Sequence, residues 1–301
     1  MKVQHIQTVV AIADAGSLRG AAKALRKSQP ALTKSLRQAE DALGVPIFQR
    51  SSRGVVPTEM GEHVLVRARS ISSEIKRLDD EIAQLRGEQV GSVHVCVSPL
   101  AAVKILPQAL SRFHSKFPDV ETHLTGGLYP NALKPLRDGR TDLVIGPTPP
   151  ARMLRDINVE PLLATPIALI TSKNSPYKNA QSLSELLHAR WIMIGAPLGP
   201  GDIFRKLFID KGLTPPKATT TSESYFGAVS LIEELGAVCV FPLKLVENVQ
   251  KSSNIVRIDV QDTFDLIEIS LMTRSGHPLT PMADALANAI RRRTATIRHE
   301  S

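Results

Sequence analysis

Apolar residues recur at helical intervals through the first 58 positions. Ile6, Val9, Val10 and Ala13 fall on one helical face. Gly16 breaks that pattern, and Ser17 can cap the next helix. Leu18, Ala21, Ala22 and Leu25 mark that second short helix, whose small alanine pair lets a neighbour come close. Ser28 is another cap candidate. Gln29 and Pro30 come after it in the first turn, where proline's missing N–H does no harm. Leu32, Leu36, Ala39 and Leu43 continue at intervals of 4, 3 and 4 until Gly44 supplies a stop. Two short helices with a tight polar connection outline a helix-turn-helix. In VPIFQRSSRGVVPT, apolar Val45, Ile47 and Phe48 give way to a turn-like 51–54 and return at Val55 and Val56. This predicts a small two-stranded wing with basic residues at its tip.

Residues 59–88 keep a narrower stripe. Val64, Ala68, Ile71, Ile75, Leu78, Ile82 and Leu85 are spaced 4, 3, 4, 3, 4 and 3, with charged residues between. A 3.5-residue repeat held for about three heptads suits one facing helix, whereas a domain core asks for a wider stripe. The expectation is a linker helix that pairs with a second copy; packing against its own domain is the alternative. Gly87 and Gly91 end it.

From about residue 91 the pattern alternates between strands and helices. VHVCV (93–97), VETHL (120–124), DLVIG (142–146), PIALI (166–170), WIMIG (191–195), AVCVF (237–241) and LIEISLM (266–272) read as strands. Helices are predicted over 100–116, 132–138, 203–211, 225–235 and 281–293. Such alternation predicts a mostly parallel sheet covered by helices, an α/β domain.

Charge sharpens this division. Residues 1–58 hold nine Lys/Arg and three acids, a net +6; the other 243 residues hold 28 against 26, a net +2. A basic head on a nearly neutral body is the footprint of a polyanion-binding module. Apolar residues at 43% and charged residues at 22% exclude a wholly disordered chain. The length of 301 residues suggests about two domains. Two cysteines cannot build a disulfide scaffold, which suggests a reducing compartment. No apolar run approaches the roughly 20 residues a membrane span needs. Asp14 interrupts the apolar N-terminal stretch, so it is read as a helix rather than a secretion signal, and the expected location is cytoplasmic.

The run GSLRGAAKALRKSQPALTKSLRQAEDALGVPIFQRSSRGVVPTEMGE resembles the LysR-type transcriptional regulators. It carries that family's small-residue helix, Ser-Gln-Pro-Ala recognition helix, Leu-Gly, Phe-x-Arg and Pro-Thr-x-x-Gly. LRDGRTDLVIG (136–146) and SESYFGAVSLIEELGAVCVFP resemble its later segments, so the likeness spans essentially the whole chain. Leu18 stands where an aromatic is common, and Ala39 where leucine is usual; both touch the small N-terminal core. The resemblance implies a winged helix-turn-helix over 1–58, a dimerising linker helix over 59–88, and an effector domain over 91–301. That domain would have two α/β lobes like those of periplasmic binding proteins. Lobe 1 would take about 91–162 and 267–301, and lobe 2 about 163–266, with the chain crossing near Leu162 and Leu266. It also implies tetramers built as dimers of dimers, with RNA polymerase as a further candidate partner.

A recognition helix must present short polar and cationic side chains at its N-terminal half, where base edges are reached in the major groove. Ser28, Gln29, Pro30, Thr33, Lys34 and Arg37 meet that need. Gln29 suits a bidentate pair with adenine, Thr33 a phosphate or thymine methyl, and Lys34 and Arg37 guanine or backbone. Pro30 keeps the helix start compact, and Ser28 doubles as a cap. Arg50 and Arg53 on the wing suit phosphate or the minor groove.

In two-lobe α/β domains ligands lie at the C-terminal ends of strands, beside helix N-termini. The loops after strands offer Ser98 and Pro99, Gly127 and Tyr129, Pro147 and Thr148, Gly199 and Gly201 within GAPLGPG, and Phe241. Ser98 can donate to a carboxylate. The glycines serve equally as plain turn residues, and Tyr129 equally as a hinge or core aromatic. The expected effector is small and anionic, an aromatic acid among the candidates.

No cofactor or metal is expected. The eight histidines never fall at metal-ligand spacing, and Gly-x-Ser-x-Gly, phosphate-loop and dinucleotide fingerprints are missing, so an enzyme is disfavoured. Redox sensing through Cys96 and Cys239 is an alternative within the regulator class, but both sit in apolar strand runs that suit inert thiols. A solute-binding protein would explain two lobes and leave the basic head without a purpose.

Overall fold

The computed structural model describes residues 1–51 and 54–299. Met1–Glu88 form one unit, and nearly all of the remaining chain forms a second.

In the first unit, α1 (Val3–Ala15) stops before the marked Gly16, α2 (Leu18–Ala24) starts after the marked Ser17, and α3 (Gln29–Leu43) runs between the marked Ser28 and Gly44. The Ser17 hydroxyl accepts from the Gly20 N–H at 3.1 Å, and Ser28 accepts from Ala31 at 3.4 Å. Each hydroxyl satisfies a donor that the first helical turn leaves without a partner. Gly16 and Gly44 close α1 and α3 in the left-handed conformation. Ile12, Ala21, Ala22 and Leu32 form one small core and Ile6, Val9, Ala39 and Ile47 another. Thr8 and Ser35 share a buried hydrogen bond of 2.9 Å that keys α1 to α3.

The wing is an antiparallel pair, β1 (Phe48–Ser51) and β2 (Gly54–Pro57). Two devices anchor it. Glu40 accepts from the Ile47 and Phe48 N–H groups at 2.8 and 3.3 Å. Thr58 donates to the Pro46 carbonyl at 2.7 Å and accepts from Gly61 at 2.9 Å, capping α4 (Glu59–Leu85). A side chain at Gly61 would run into the Ile47 carbonyl, so the helix can press against the wing only with glycine there. The Pro-Thr-x-x-Gly pattern is thus a cap combined with a close approach.

The long helix has two roles along its length. Leu65 and Ala68 are buried with α1 residues in the head's core, and Arg69 pairs with Asp14 at 2.6 Å. Beyond them Ile71, Leu78, Ile82 and Leu85 are exposed, Leu85 by 68%. The heptad register therefore continues past the point where the head can cover it. Leu65, which lies outside that register, is one of the residues that docks the head.

The second unit holds two five-stranded sheets. One has the order β4 (Glu121–Gly126), β3 (Ser92–Val97), β5 (Leu143–Pro147), β12 (Ile267–Arg274), β6 (Ile157–Thr165). The other has β11 (Ile255–Ile258), β7 (Ile167–Ser172), β10 (Val238–Pro242), β8 (Trp191–Ile194), β9 (Ala218–Ser222). The chain leaves the first sheet after Thr165, enters the second at Ile167, and returns at Ile267. The sheets are mixed rather than mostly parallel. β3 runs parallel to β4 and β5, and β8 parallel to β9 and β10, while β12 is antiparallel to both its neighbours and β7 is antiparallel to β10 and β11. The antiparallel β6 and β12 of the first sheet, and β7 of the second, are the strands at which the chain crosses between lobes.

Helices cover these sheets: α5 (Leu106–Lys116), α6 (Leu133–Arg137), α7 (Ile203–Ile209), α8 (Tyr225–Leu235), α9 (Leu243–Ser252) and α10 (Pro281–His299). The predicted helix over 100–116 begins as a π-helical turn, Ala101–Ile105, before α5. Pro107 in the first turn of α5 lacks the N–H that an unbroken α-helix would need. Among the described strands and α-helices, β6, β9, β11 and α9 escaped the pattern. Trp191, fully buried between Phe204 and Phe208, anchors the second lobe. Among the described residues no helix is long and apolar enough to cross a membrane.

Candidate functional sites

On α3 burial follows the helical period. Leu32, Ser35 and Ala39 are buried, while Gln29, Pro30, Thr33, Lys34 and Arg37 are exposed. These five predicted residues line one open groove on the helix surface. Ser28 stands at its head, its hydroxyl occupied by the cap. Thr33 is exposed and donates to the Gln29 carbonyl at 3.0 Å, which restrains its hydroxyl. Among the described residues Lys34, Arg37 and Arg50 form no ion pair, so their charge is available to an external anion. Arg50 is exposed on β1. Arg53 lies outside the described residues.

The second unit carries a cavity of about 70 Å³ between its sheets, lined by strand ends, the loops after them and residues of the covering helices. Ser98, Pro99, Pro147, Gly201 and Phe241 all reach it. Ser98 is 2% exposed; its hydroxyl accepts from the Ala101 N–H at 3.3 Å and keeps its own proton to donate. Gly146 makes room for it, since a side chain there would meet the Ser98 Cβ at 3.3 Å. Tyr225 closes another wall, its ring 5.6 Å from that of Phe241, and burial pushes its hydroxyl pKa up. Among the described residues no Lys, Arg or His lines this chamber.

A second, wider cavity of about 340 Å³ shares Pro147, Pro200, Ile203 and Ile267 with the first. Tyr129, Thr148 and Gly199 line it, together with Arg152, Lys206 and Glu268. Thr148 is already engaged, donating to Glu268 at 2.9 Å and sharing a 2.6 Å bond with buried Ser270. Lys206 is held between Asp210 and Asp265 at 2.7 Å each, which raises its pKa and lowers that of Asp265. Arg152 forms no ion pair among the described residues, and is the cation this chamber can offer to a ligand. Burial, with Asp202 nearby, pushes the Tyr129 hydroxyl pKa up.

The glycines divide. At Gly199 a side chain would meet the Tyr129 carbonyl at 2.8 Å, so it sets how closely the two lobes approach. Gly201 packs against the Ile194 carbonyl, a structural duty added to its place on the wall. Gly127 is a correction: it lines neither cavity. Its N–H donates to Val97 at 3.1 Å, and a side chain there would strike the Cys96 sulfur at 2.7 Å. Tyr225, Gly146 and Arg152 were not foreseen from the sequence. Tyr225 comes after β9, whose ATTTS run lacks apolar alternation, so its loop did not register as a strand end.

Cys96 and Cys239 are buried on separate sheets, and burial raises both thiol pKa values. Among the described residues no three His, Cys, Asp or Glu side chains are placed to hold a metal ion.

Known proteins share this arrangement. Residues 3–62 match the bacterial regulatory helix-turn-helix protein, lysR family, and residues 86–295 match the LysR substrate binding domain. The transcriptional regulator TdcA of Escherichia coli strain K12 is 29% identical over 198 residues, 66% of this chain. This chain spans 64% of the length of TdcA. The regulator GalR of Pseudomonas putida is 26% identical over 291 residues, covering 96% of this chain and 73% of that protein. The crystal structure of CbnR, a LysR family transcriptional regulator, superposes with a TM-score of 0.73 at 21% identity, covering 98% and 99% of the two chains. CbnR in complex with its target DNA gives 0.71 over 97% and 100%. At that identity the likeness is one of fold. With both family domains matched in order along the polypeptide, this chain belongs to the LysR family.

Proposed function

We propose that the chain is a transcription regulator that reads duplex DNA with α3 and answers to a small effector held between the lobes of its second unit. The observation that carries this reading is the single groove on α3 lined by Gln29, Pro30, Thr33, Lys34 and Arg37, with its cations free. Affinity comes from Lys34, Arg37, Arg50 and Arg53 at phosphates, and sequence choice from Gln29 at a base edge. Removing one phosphate-binding cation should lower the slope of log affinity against log salt by about 1. Gel shifts of Lys34→Ala and Arg37→Ala across a salt series test this. Slopes unchanged from wild type in both variants would reject the assignment.

The effector is a small anion with an apolar body. The inner chamber receives the apolar part; Ser98 and Arg152 supply a neutral donor and a cation for the acid. The inner chamber is smaller than the roughly 150 Å³ that accommodates benzene in an engineered cavity. An aromatic acid would therefore need the lobes to part, or would occupy the wider outer space first. Either route couples binding to lobe arrangement, and the ligand biases that equilibrium by its differential affinity for the two states. In the dimer or tetramer this would alter the spacing of DNA-binding heads and the bend of the promoter. Calorimetric screening of carboxylic acids against neutral metabolites tests the ligand class. A neutral sugar as the sole binder would overturn it. The second copy pairs through the exposed Ile71, Leu78, Ile82 and Leu85 seam, which would otherwise stay in water.

A further inference from the structure

On the outer side of the first lobe α5 and α10 pack together and leave a cleft of about 300 Å³. It belongs to neither the DNA face nor the effector cavities. Its floor is apolar: Phe113 is buried, and Phe117, Ala285 and Ala289 are half-buried. Its rim holds three exposed cations, Arg112, Lys116 and Arg292, none in an ion pair among the described residues. The Lys116 ammonium lies 5.2 Å from the Phe117 ring centroid, so the floor and the charged rim adjoin. At the other end Asp284 is already engaged by Asn288 at 3.0 Å and Arg291 at 3.7 Å. Residues beyond 58 carry a net charge of only +2, so three such cations around one cleft are a local concentration.

We propose that this cleft docks an acidic segment of a protein partner, with one aromatic or aliphatic side chain inserted over Phe117 and Ala289. Charge complementarity selects the partner's sign. The size of the cleft and its apolar floor select a side-chain anchor rather than a flat surface. An exposed cation holds a lone anion weakly in water. A segment that engages three at once while burying an anchor gains affinity from each and forfeits binding freedom once. A duplex phosphate backbone has no group to fill the apolar floor.

The test uses the full-length protein and an array of 15-residue glutamate-rich peptides with Phe, Leu, Trp or Gly at the centre, read by fluorescence anisotropy. The expected result is binding of apolar-centred peptides in preference to the glycine-centred one. Reversal in Arg112→Glu/Arg292→Glu should weaken that binding roughly fivefold or more, and the same reversal at exposed Lys178, on the second lobe, should leave it unchanged. Lys116→Glu alone should act in the same direction and guards against misfolding of the double variant. Equal binding of all peptides to wild type and variants, or no binding, overturns the proposal. So does loss of random-sequence DNA binding in the reversal variants with no change toward peptides, which would assign the patch to nucleic acid.

Discussion

Gln29 shows how much one side chain is asked to do. It is exposed at the start of α3, and no other position in the first turn of α3 has an amide suited to adenine. Gln29→Ala should cost about 1–3 kcal/mol on the specific site and leave random DNA nearly unaffected; parallel titrations on both DNAs check it. Buried Cys96 and Cys239 should behave oppositely, as inert groups. A thiol reagent near neutral pH should modify the native protein slowly and both cysteines quickly in denaturant. Peroxide should leave the DNA footprint unchanged. Rapid native modification, or a changed footprint, would revive redox sensing. Lys206 holds the carboxyl pKa of Asp265 below its ordinary value. The small stabilisation from this exposed pair is present above Asp265's unfolded pKa and fades as pH falls through its folded one. Lys206→Met should move the NMR titration of Asp265 upward; an unmoved titration would deny the pair. Residue roles were legible where a cap or groove position follows from spacing, as with Ser17, Ser28 and Lys34. They were illegible where the reason is a neighbour far away in sequence. Nothing near Gly127 announces the Cys96 sulfur, and nothing near Gly61 announces the Ile47 carbonyl.

At the scale of elements, α4 divides its length between the head and the seam proposed to pair with a second copy. Its early turns are committed to α1, and its later seam is bare. Leu78→Asp with Leu85→Asp places charges where a facing helix would bury apolar groups, so light scattering should show monomers where wild type gives dimers or larger. A monomeric wild type at micromolar concentration would remove the pairing. The heptad spacing revealed this helix because its period is regular over many turns. β9 escaped because its threonines carry little hydrophobic alternation, and its side chains alternate between half-buried and exposed. The parallel bias was over-read for a topological reason: alternation of strands and helices says nothing about the direction of a strand by which the chain re-enters a sheet, and β12 is such a strand.

For the molecule as a whole, charge and periodicity separate a basic segment, a long helix and an α/β region, while the two lobes of that region were implied by the family resemblance alone. The effector chamber depends on loops brought together from both lobes, so only its strand-end members were visible beforehand. Ser98→Ala should weaken the response to whichever acid binds, without changing DNA affinity in its absence. The central claim is that α3 selects sequence. It is tested most directly by sequencing genomic fragments retained by purified full-length protein beside Gln29→Ala. Wild type should enrich a two-fold motif with half-sites about 34–36 Å apart or a multiple of this, and the variant should lose the enrichment while still retaining DNA at low salt. Identical motifs for both proteins, or no enrichment by wild type, would contradict it.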